Sequence, residues 1–323
     1  MNFNPSLADR LLDKTILFSF SSIGYYLRRW LQTPETPGAT KDNCICAITG
    51  ANAGLGKSLA EILAKRGATV YLLCRNEKRG KQAQKDILDK IIHQRVYLEL
   101  VDTSDMHSVT QFADRFKQRE SNLHVLINNA GVLPLERSKT DAGIELTFAT
   151  NVLGYFKMIQ ELQPLLTRAG NARVINITSG GAYGAALNLD DPQWKEREFD
   201  GVKAYAETKR AELYLTREWA RKLLKNGTIV MAAHPGWAST PGVKSSLKNF
   251  HRIMRPILRT PEQGIEGIAW LAYEPKITID HTGTFWLDRR IRPFDYVKST
   301  AASEEEIRQL WEMCEKQAVG SRQ

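Results

Sequence analysis

Cys44-Ile-Cys-Ala-Ile-Thr-Gly-Ala-Asn-Ala-Gly-Leu-Gly56 is the stretch on which the fold turns. Residues 44–49 form a short apolar run suited to a parallel strand buried on both faces. Gly50, Gly54 and Gly56 follow at once, and then Leu59, Ile62 and Leu63 recur at helical spacing until Gly67. Strand, glycine turn and helix in that order bring free backbone amides and a helix N-terminus to one point, an arrangement suited to a pyrophosphate. Gly50, Asn52, Gly54, Leu55 and Gly56 are therefore the expected dinucleotide-binding residues of this turn. The competing reading is an ordinary connecting turn.

Working outward, residues 69–74 (TVYLLC) make a second buried strand that ends at Cys74-Arg75. A carboxylate there would grip the adenosine ribose hydroxyls, whereas a guanidinium suits a 2′-phosphate through charge-assisted hydrogen bonds. Arg75 thus points to NADP(H) in preference to NAD(H), the alternative being an exposed base at a strand end. A helix around 79–92 leads to a strand over 96–101, with Asp102 placed where it could meet the adenine. Residues 123–127 form another buried strand, ending in Asn128-Asn129-Ala130-Gly131, small enough for a cofactor to pass close to the backbone. Alternation of strands and helices implies a parallel sheet wound on both faces, with ligand at the carboxyl ends of the strands.

Further along lies Tyr205-Ala-Glu-Thr-Lys209 in a helix-forming context. Residues four apart share a helix face, so the hydroxyl and the ammonium can enter one pocket. Tyrosine alone is a poor acid–base group, with an unperturbed pKa of ~10, and a nearby cation lowers it.

With Thr49-Gly50-x-x-x-Gly54-x-Gly56, Asn128-Asn129-Ala130-Gly131, Ser179 after the strand 173–178, Tyr205-x-x-x-Lys209, and Pro235-Gly236 followed by Thr240, the chain resembles the single-domain short-chain dehydrogenases/reductases over residues 41–290. The resemblance implies an α/β fold, a single Rossmann-type doubly wound parallel sheet of about seven strands with helices on both faces. It also implies NADP(H)-linked interconversion of a carbonyl and an alcohol. Tyr205 would be the acid–base residue and Ser179 would bond the substrate oxygen. Lys209 would bind the nicotinamide ribose and lower the Tyr205 pKa. Asn151, in Ala149-Thr-Asn-Val-Leu-Gly154, would hold a water for proton relay. Asn129, Ala130, Gly131, Pro235, Gly236 and Thr240 would join the cofactor site, Thr240 at the carboxamide. An unusually long segment separates Ser179 from Tyr205, so substrate identity does not carry over. Binding of NADPH with little turnover, as in an interaction protein, is the rival reading from another class.

Composition is that of an ordinary globular chain: 323 residues, 25% charged and 42% hydrophobic, with a formal net charge of +9. The charge suits anionic ligands such as a phosphorylated cofactor or an acidic membrane surface, and no nucleic-acid motif accompanies it. Four cysteines show neither metal spacing nor a disulfide framework, which favours a reduced, cytoplasmic setting and no metal. Residues 1–40 stand apart as an N-terminal amphipathic helix and linker before the domain 41–323. Residues 15–27 carry no charge and are followed by Arg28, Arg29 and Trp30. The run is short for a membrane span, and fits either an amphipathic helix on a membrane surface or a helix packed on the domain. Thr33-Pro-Glu-Thr-Pro-Gly38 reads as a linker. Over 241–260, apolar residues at helical spacing interleave with Lys244, Lys248, Arg252, Arg255 and Arg259. The resemblance implies a substrate-binding lid there, and an apolar face with a basic rim suits a lipophilic or acidic substrate or a membrane from which one is drawn; the alternative is a partly buried helix with a solvated face. A homo-oligomer is compatible with the helical surfaces.

Overall fold

The computed structural model describes residues 12, 15–30, 36 and 42–319. Apart from Thr36, the linker expected over 33–38 lies outside the described residues.

The glycine turn sits where expected. β1 (Ile45–Thr49) runs into it and α3 (Gly54–Lys65) leaves it. The chain continues as β2 (Thr69–Cys74), α4 (Glu77–Leu88), β3 (Val96–Leu100), α5 (Met106–Arg119), β4 (Val125–Asn128), α6 (Gly154–Ala169), β5 (Arg173–Ile177), α7 (Gly201–Leu223) and β6 (Ile229–Ala233). Two short helices, α8 (Pro241–Ser246) and α9 (Lys248–Met254), precede α10 (Pro261–Tyr273), β7 (Thr284–Leu287), β8 (Arg290–Arg292) and α11 (Glu304–Val319). Before β1 lie α1 (Ile16–Phe20) and α2 (Ser22–Arg29).

The strands form one sheet in the order β3-β2-β1-β4-β5-β6-β7-β8. β4, β5 and β6 are buried at every position, as strands covered on both faces must be, and edge strand β3 exposes Tyr97 and Leu100. α5, α6, α7 and α11 pack one face around Phe112, Phe116, Phe156, Tyr214 and Trp311. α3, α4 and α10 pack the other around Leu59, Leu63, Ile87 and Ile268. The strand order reverses at β1 and β4, which opens a crevice at their carboxyl ends.

The sheet has eight strands rather than about seven. β8 pairs antiparallel with β7 through a two-residue turn in which Asp288 and Arg289 both have positive φ, 51° and 59°. This is the I′ geometry that matches the twist of a hairpin, usually supplied by Asn-Gly. Here burial of Asp288 between two arginines holds it in place.

The N-terminal segment packs on the domain. Arg28 is completely buried and donates to Asp288 Oδ2 (2.9 Å) and the Ser19 carbonyl (2.7 Å). Arg259 clasps the same carboxylate at 2.6 and 2.8 Å and donates to the Ser21 carbonyl at 3.1 Å. Burial pushes the Asp288 pKa up, but Arg259 and Arg28 outweigh it and hold the carboxyl at about 2. α2 is thus turned so that its arginine faces in and an apolar stripe faces out. None of the described helices is long and apolar enough to cross a membrane.

Candidate active site

At the crevice, Gly50 and Gly54 have φ of +65° and +53°, conformations that side-chain-bearing residues rarely adopt. A Cβ at Gly56 would stand 2.5 Å from Asn129 Nδ2 and 2.6 Å from the Gly50 carbonyl, so only glycine fits there. Ala53, the N-cap of α3, gives no side-chain cap, which leaves the first-turn amides to an outside acceptor. Asn52 and Leu55 are half-buried in the same turn. These features fit a dinucleotide pyrophosphate.

Thr49 fixes this crevice from below: its Oγ1 accepts from the amides of Asn129 (2.8 Å) and Ala130 (2.9 Å), while Asn129 Nδ2 donates to the Thr49 carbonyl at 2.8 Å. Gly131 faces Asn151 and Lys209. Arg75 and Asp102 meet at the ends of β2 and β3 in a 3.4 Å ion pair, with Arg75 largely exposed. Asp102 Oδ1 also accepts from the Ser104 amide and hydroxyl.

Ser179, Tyr205, Leu55, Gly131, Pro235 and Thr240 converge on one cavity of about 530 Å³. Tyr205 and Lys209 stand on α7, which Asp200 caps by accepting from the Val202 and Lys203 amides. Ser179 caps the turn Gly180–Gly184 and accepts from the Gly181 amide. Thr240 caps α8. Gly236 has φ +73° and lies against the Arg259 guanidinium.

Lys209 Nζ donates to the Ile177 carbonyl (2.9 Å) and to Glu212 Oε1 (2.7 Å), and lies 5.5 Å from the Tyr205 ring. Burial dominates the Tyr205 pKa and raises it. Lys209 and a hydrogen bond with Ser179 pull it down, and Glu212 pushes it up. The lowering expected from Lys209 is therefore present but outweighed. Glu212, buried with Oε2 unpartnered among the described residues, is itself pushed up to about 8 by burial, against the pull of Lys209.

Asn151 sits in a π-helical turn, Ala149–Leu153, the kind of helix irregularity often found at functional sites. Its two amide hydrogens go to the Val132 carbonyl (3.1 Å) and Thr208 Oγ1 (3.0 Å), and its oxygen accepts from the Val132 amide (2.9 Å). A water on this side chain would have one lone pair left to use. Thr208 passes the link on to the Tyr205 carbonyl at 2.8 Å.

His234 is buried beside the cavity, and its Nδ1 accepts from the Gly236 amide. Burial, reinforced by Arg259, pushes its pKa down to about 3, so the ring is neutral. The sequence did not disclose Thr49, Glu212, Phe20 or Trp237 as site residues. Thr49 opens the glycine signature and Glu212 follows Lys209 by three positions, but only the fold shows Thr49 accepting from the amides of the β4 loop and Glu212 buried. Phe20 and Trp237 meet only through the fold, with ring centroids 5.9 Å apart.

A family model described as short chain dehydrogenase matches residues 44–250. The chain is similar to Dehydrogenase/reductase SDR family member 12 of Bos taurus, at 40% identity over 269 residues, spanning 82% of this chain and 84% of that protein. It is also similar to Retinol dehydrogenase 12 of Mus musculus, at 34% identity over 258 residues, spanning 78% of this chain and 81% of the relative. Among solved structures, an uncharacterised protein from Mycobacterium paratuberculosis superposes with a TM-score of 0.69 at 26% identity, covering 88% of this chain and 98% of that one.

Proposed function

The chain belongs to the short-chain dehydrogenase/reductase family, NAD(P)-dependent oxidoreductases acting on CH–OH groups, and on that premise we propose that it interconverts a lipophilic carbonyl compound and its alcohol with NADP(H) preferred. The observation that carries the reading is the meeting of Tyr205 and Ser179 in one cavity whose other walls include Trp237, Val243, Leu247 and Phe250.

Gly50, Asn52, Gly54, Leu55 and Gly56 would hold the pyrophosphate, and Arg75 a 2′-phosphate, with Asp102 beside the adenine. Asn129, Ala130, Gly131, Pro235, Gly236 and Thr240 would line the nicotinamide half. The bound dinucleotide supplies or accepts the hydride. Tyr205, kept protonated by burial, donates its hydroxyl proton to the carbonyl oxygen, and Ser179 holds that oxygen in place. Lys209 stabilises the resulting phenolate and grips the ribose. Asn151, through Thr208, holds the Tyr205 turn of α7 against the β4 loop.

Peripheral contact with a membrane belongs to the same reading. Ile23, Tyr26, Leu27 and Trp30 recur at i, i+3, i+4 and i+7 and are exposed, Trp30 at 91%. Tyr26 accepts a hydrogen bond from Gln263 at the start of α10, which anchors one residue of the stripe to the domain.

Tyr205→Phe tests the reading. Turnover of aldehydes and ketones should fall by about 10²–10⁴-fold, the usual worth of a general acid, while NADPH binding, followed by nicotinamide fluorescence, persists. Near-normal turnover would remove Tyr205 from the mechanism. Tight NADPH binding by the unmodified protein with no turnover across a broad carbonyl panel would favour an interaction protein instead. Titration with NADPH and NADH tests Arg75: Arg75→Ala should narrow the preference for NADPH.

A further inference from the structure

Behind the turn that carries Ser179 lies a second cavity of about 510 Å³, within the range of small-molecule sites. Its walls include Phe20, Tyr183, Gly184, Trp237, Phe285 and Tyr296. Aromatic edges meet around it: Tyr183 lies 5.1 Å from Tyr296 and 5.8 Å from Phe285. We propose that this chamber receives the non-reacting ring of a ring-bearing carbonyl substrate whose oxygen lies between Ser179 and Tyr205. The inference rests on the oxidoreductase reading above and names the substrate class of that site.

Three observations converge. The chamber shares Gly181, His234 and Trp237 with the Tyr205 cavity, so the two spaces adjoin at these residues. Gly180 and Gly181 place no side chain in that partition, and Ser179 reaches the Gly181 amide at 3.2 Å. A molecule bonded to Ser179 thus stands one glycine away from the aromatic walls.

The second observation is the character of the walls. His234, 4% exposed, is neutral and turns an edge toward Phe20 with ring centroids 4.6 Å apart. Its Nδ1 accepts from Gly236, which leaves Nε2 as the protonated nitrogen, without a partner among the described residues. Arg292 also lines the chamber but is buried and engaged within the protein. Flat aromatic walls favour a ring over a polar chain, through edge-to-face contact and burial of apolar area.

Thirdly, Phe20, Phe285 and Tyr296 all lie outside the residues matched by the family model, 44–250. The chamber is completed by the N-terminal segment and the last hairpin, the two parts joined by Arg28, Asp288 and Arg259.

The test compares benzylacetone with butanone, the same methyl ketone with and without a phenyl ring. The unmodified protein should favour benzylacetone in kcat/KM by about 10-fold or more, the scale on which apolar pockets discriminate. Gly184→Leu grows a side chain at the chamber wall where a Cβ meets nothing within 4 Å, so the fold tolerates it. It should reduce the benzylacetone-to-butanone ratio about 10-fold, and Phe20→Trp, narrowing the opposite wall, should move the ratio the same way. Calorimetric titration of benzylacetone into NADP⁺-saturated protein gives a readout independent of turnover, with weaker binding expected in both variants. An unchanged ratio and unchanged affinity in both variants, with turnover intact, would overturn the chamber and leave the oxidoreductase reading standing. Absence of turnover with binding still lost in the variants would overturn the oxidoreductase reading and leave the chamber as a ligand site.

Discussion

Glu212 and His234 are two buried titratable groups with opposite pH signatures. Above its own pKa of about 8, Glu212 adds a negative charge beside Lys209 and raises the Tyr205 pKa. Glu212→Gln should therefore shift the acidic limb of the alcohol-oxidation pH profile to lower pH, because the phenolate forms more readily once the carboxylate is gone. Superimposable profiles would show that the two groups are not coupled. His234 has its pKa pushed down from 6.5 to about 3. Between those values the unfolded chain binds a proton that the folded chain refuses, so stability falls as pH drops from 6.5 toward 3. At ~1.4 kcal/mol per pH unit the full effect is on the order of 4–5 kcal/mol. His234→Gln should flatten this part of the curve of thermal midpoint against pH. At this scale the signatures were legible because each is a short-range spacing: Gly50 to Gly56, or Tyr205 to Lys209 on one face of α7. Glu212 escaped notice because an acid three residues after a lysine reads as an exposed helix pair. Only tertiary burial reveals its different character.

Elements were legible wherever one periodicity persisted. β1, β2, β4 and β5 announced themselves as apolar runs, and α11 buries the stripe Ile307, Leu310, Trp311 and Cys314. Trp311 packs 4.8 Å from both Phe156 and Trp219, sealing α11 onto α6 and α7. Trp311→Ala should cost about 3–5 kcal/mol in denaturant unfolding. β8 was not legible. It is three residues long, two of them arginines, and its turn lacks the glycine that normally marks such a hairpin. Its stability comes instead from Asp288, held between arginines distant in sequence. Asp288→Ala would leave Arg28 and Arg259 buried without their carboxylate. It should destabilise by about 3–5 kcal/mol, whereas an exposed pair such as Arg308–Glu305 should contribute about 0–1 kcal/mol.

For the whole molecule, the orientation of the N-terminal segment was the part composition could not decide. Its apolar stripe suited either burial or a membrane, and the structure buries the opposite face, around Gly24, Tyr25 and Arg28. With a net charge of +9, the protein should sediment with anionic phosphatidylserine vesicles and release as salt rises. Leu27→Ser with Trp30→Ser should weaken that binding without altering butanone turnover. Equal sedimentation of the variant would place the contact elsewhere. The clasp on Asp288 also imposes an order on synthesis. Arg28 and Asp288 are separated by 260 positions, so at ~5–20 residues per second α2 waits on the order of 13–50 s on the ribosome before its partner emerges. The aromatic chamber behind Ser179 is therefore among the last features of the protein to exist. A chain that stalls before the final hairpin can carry the dinucleotide crevice and still lack the aromatic chamber.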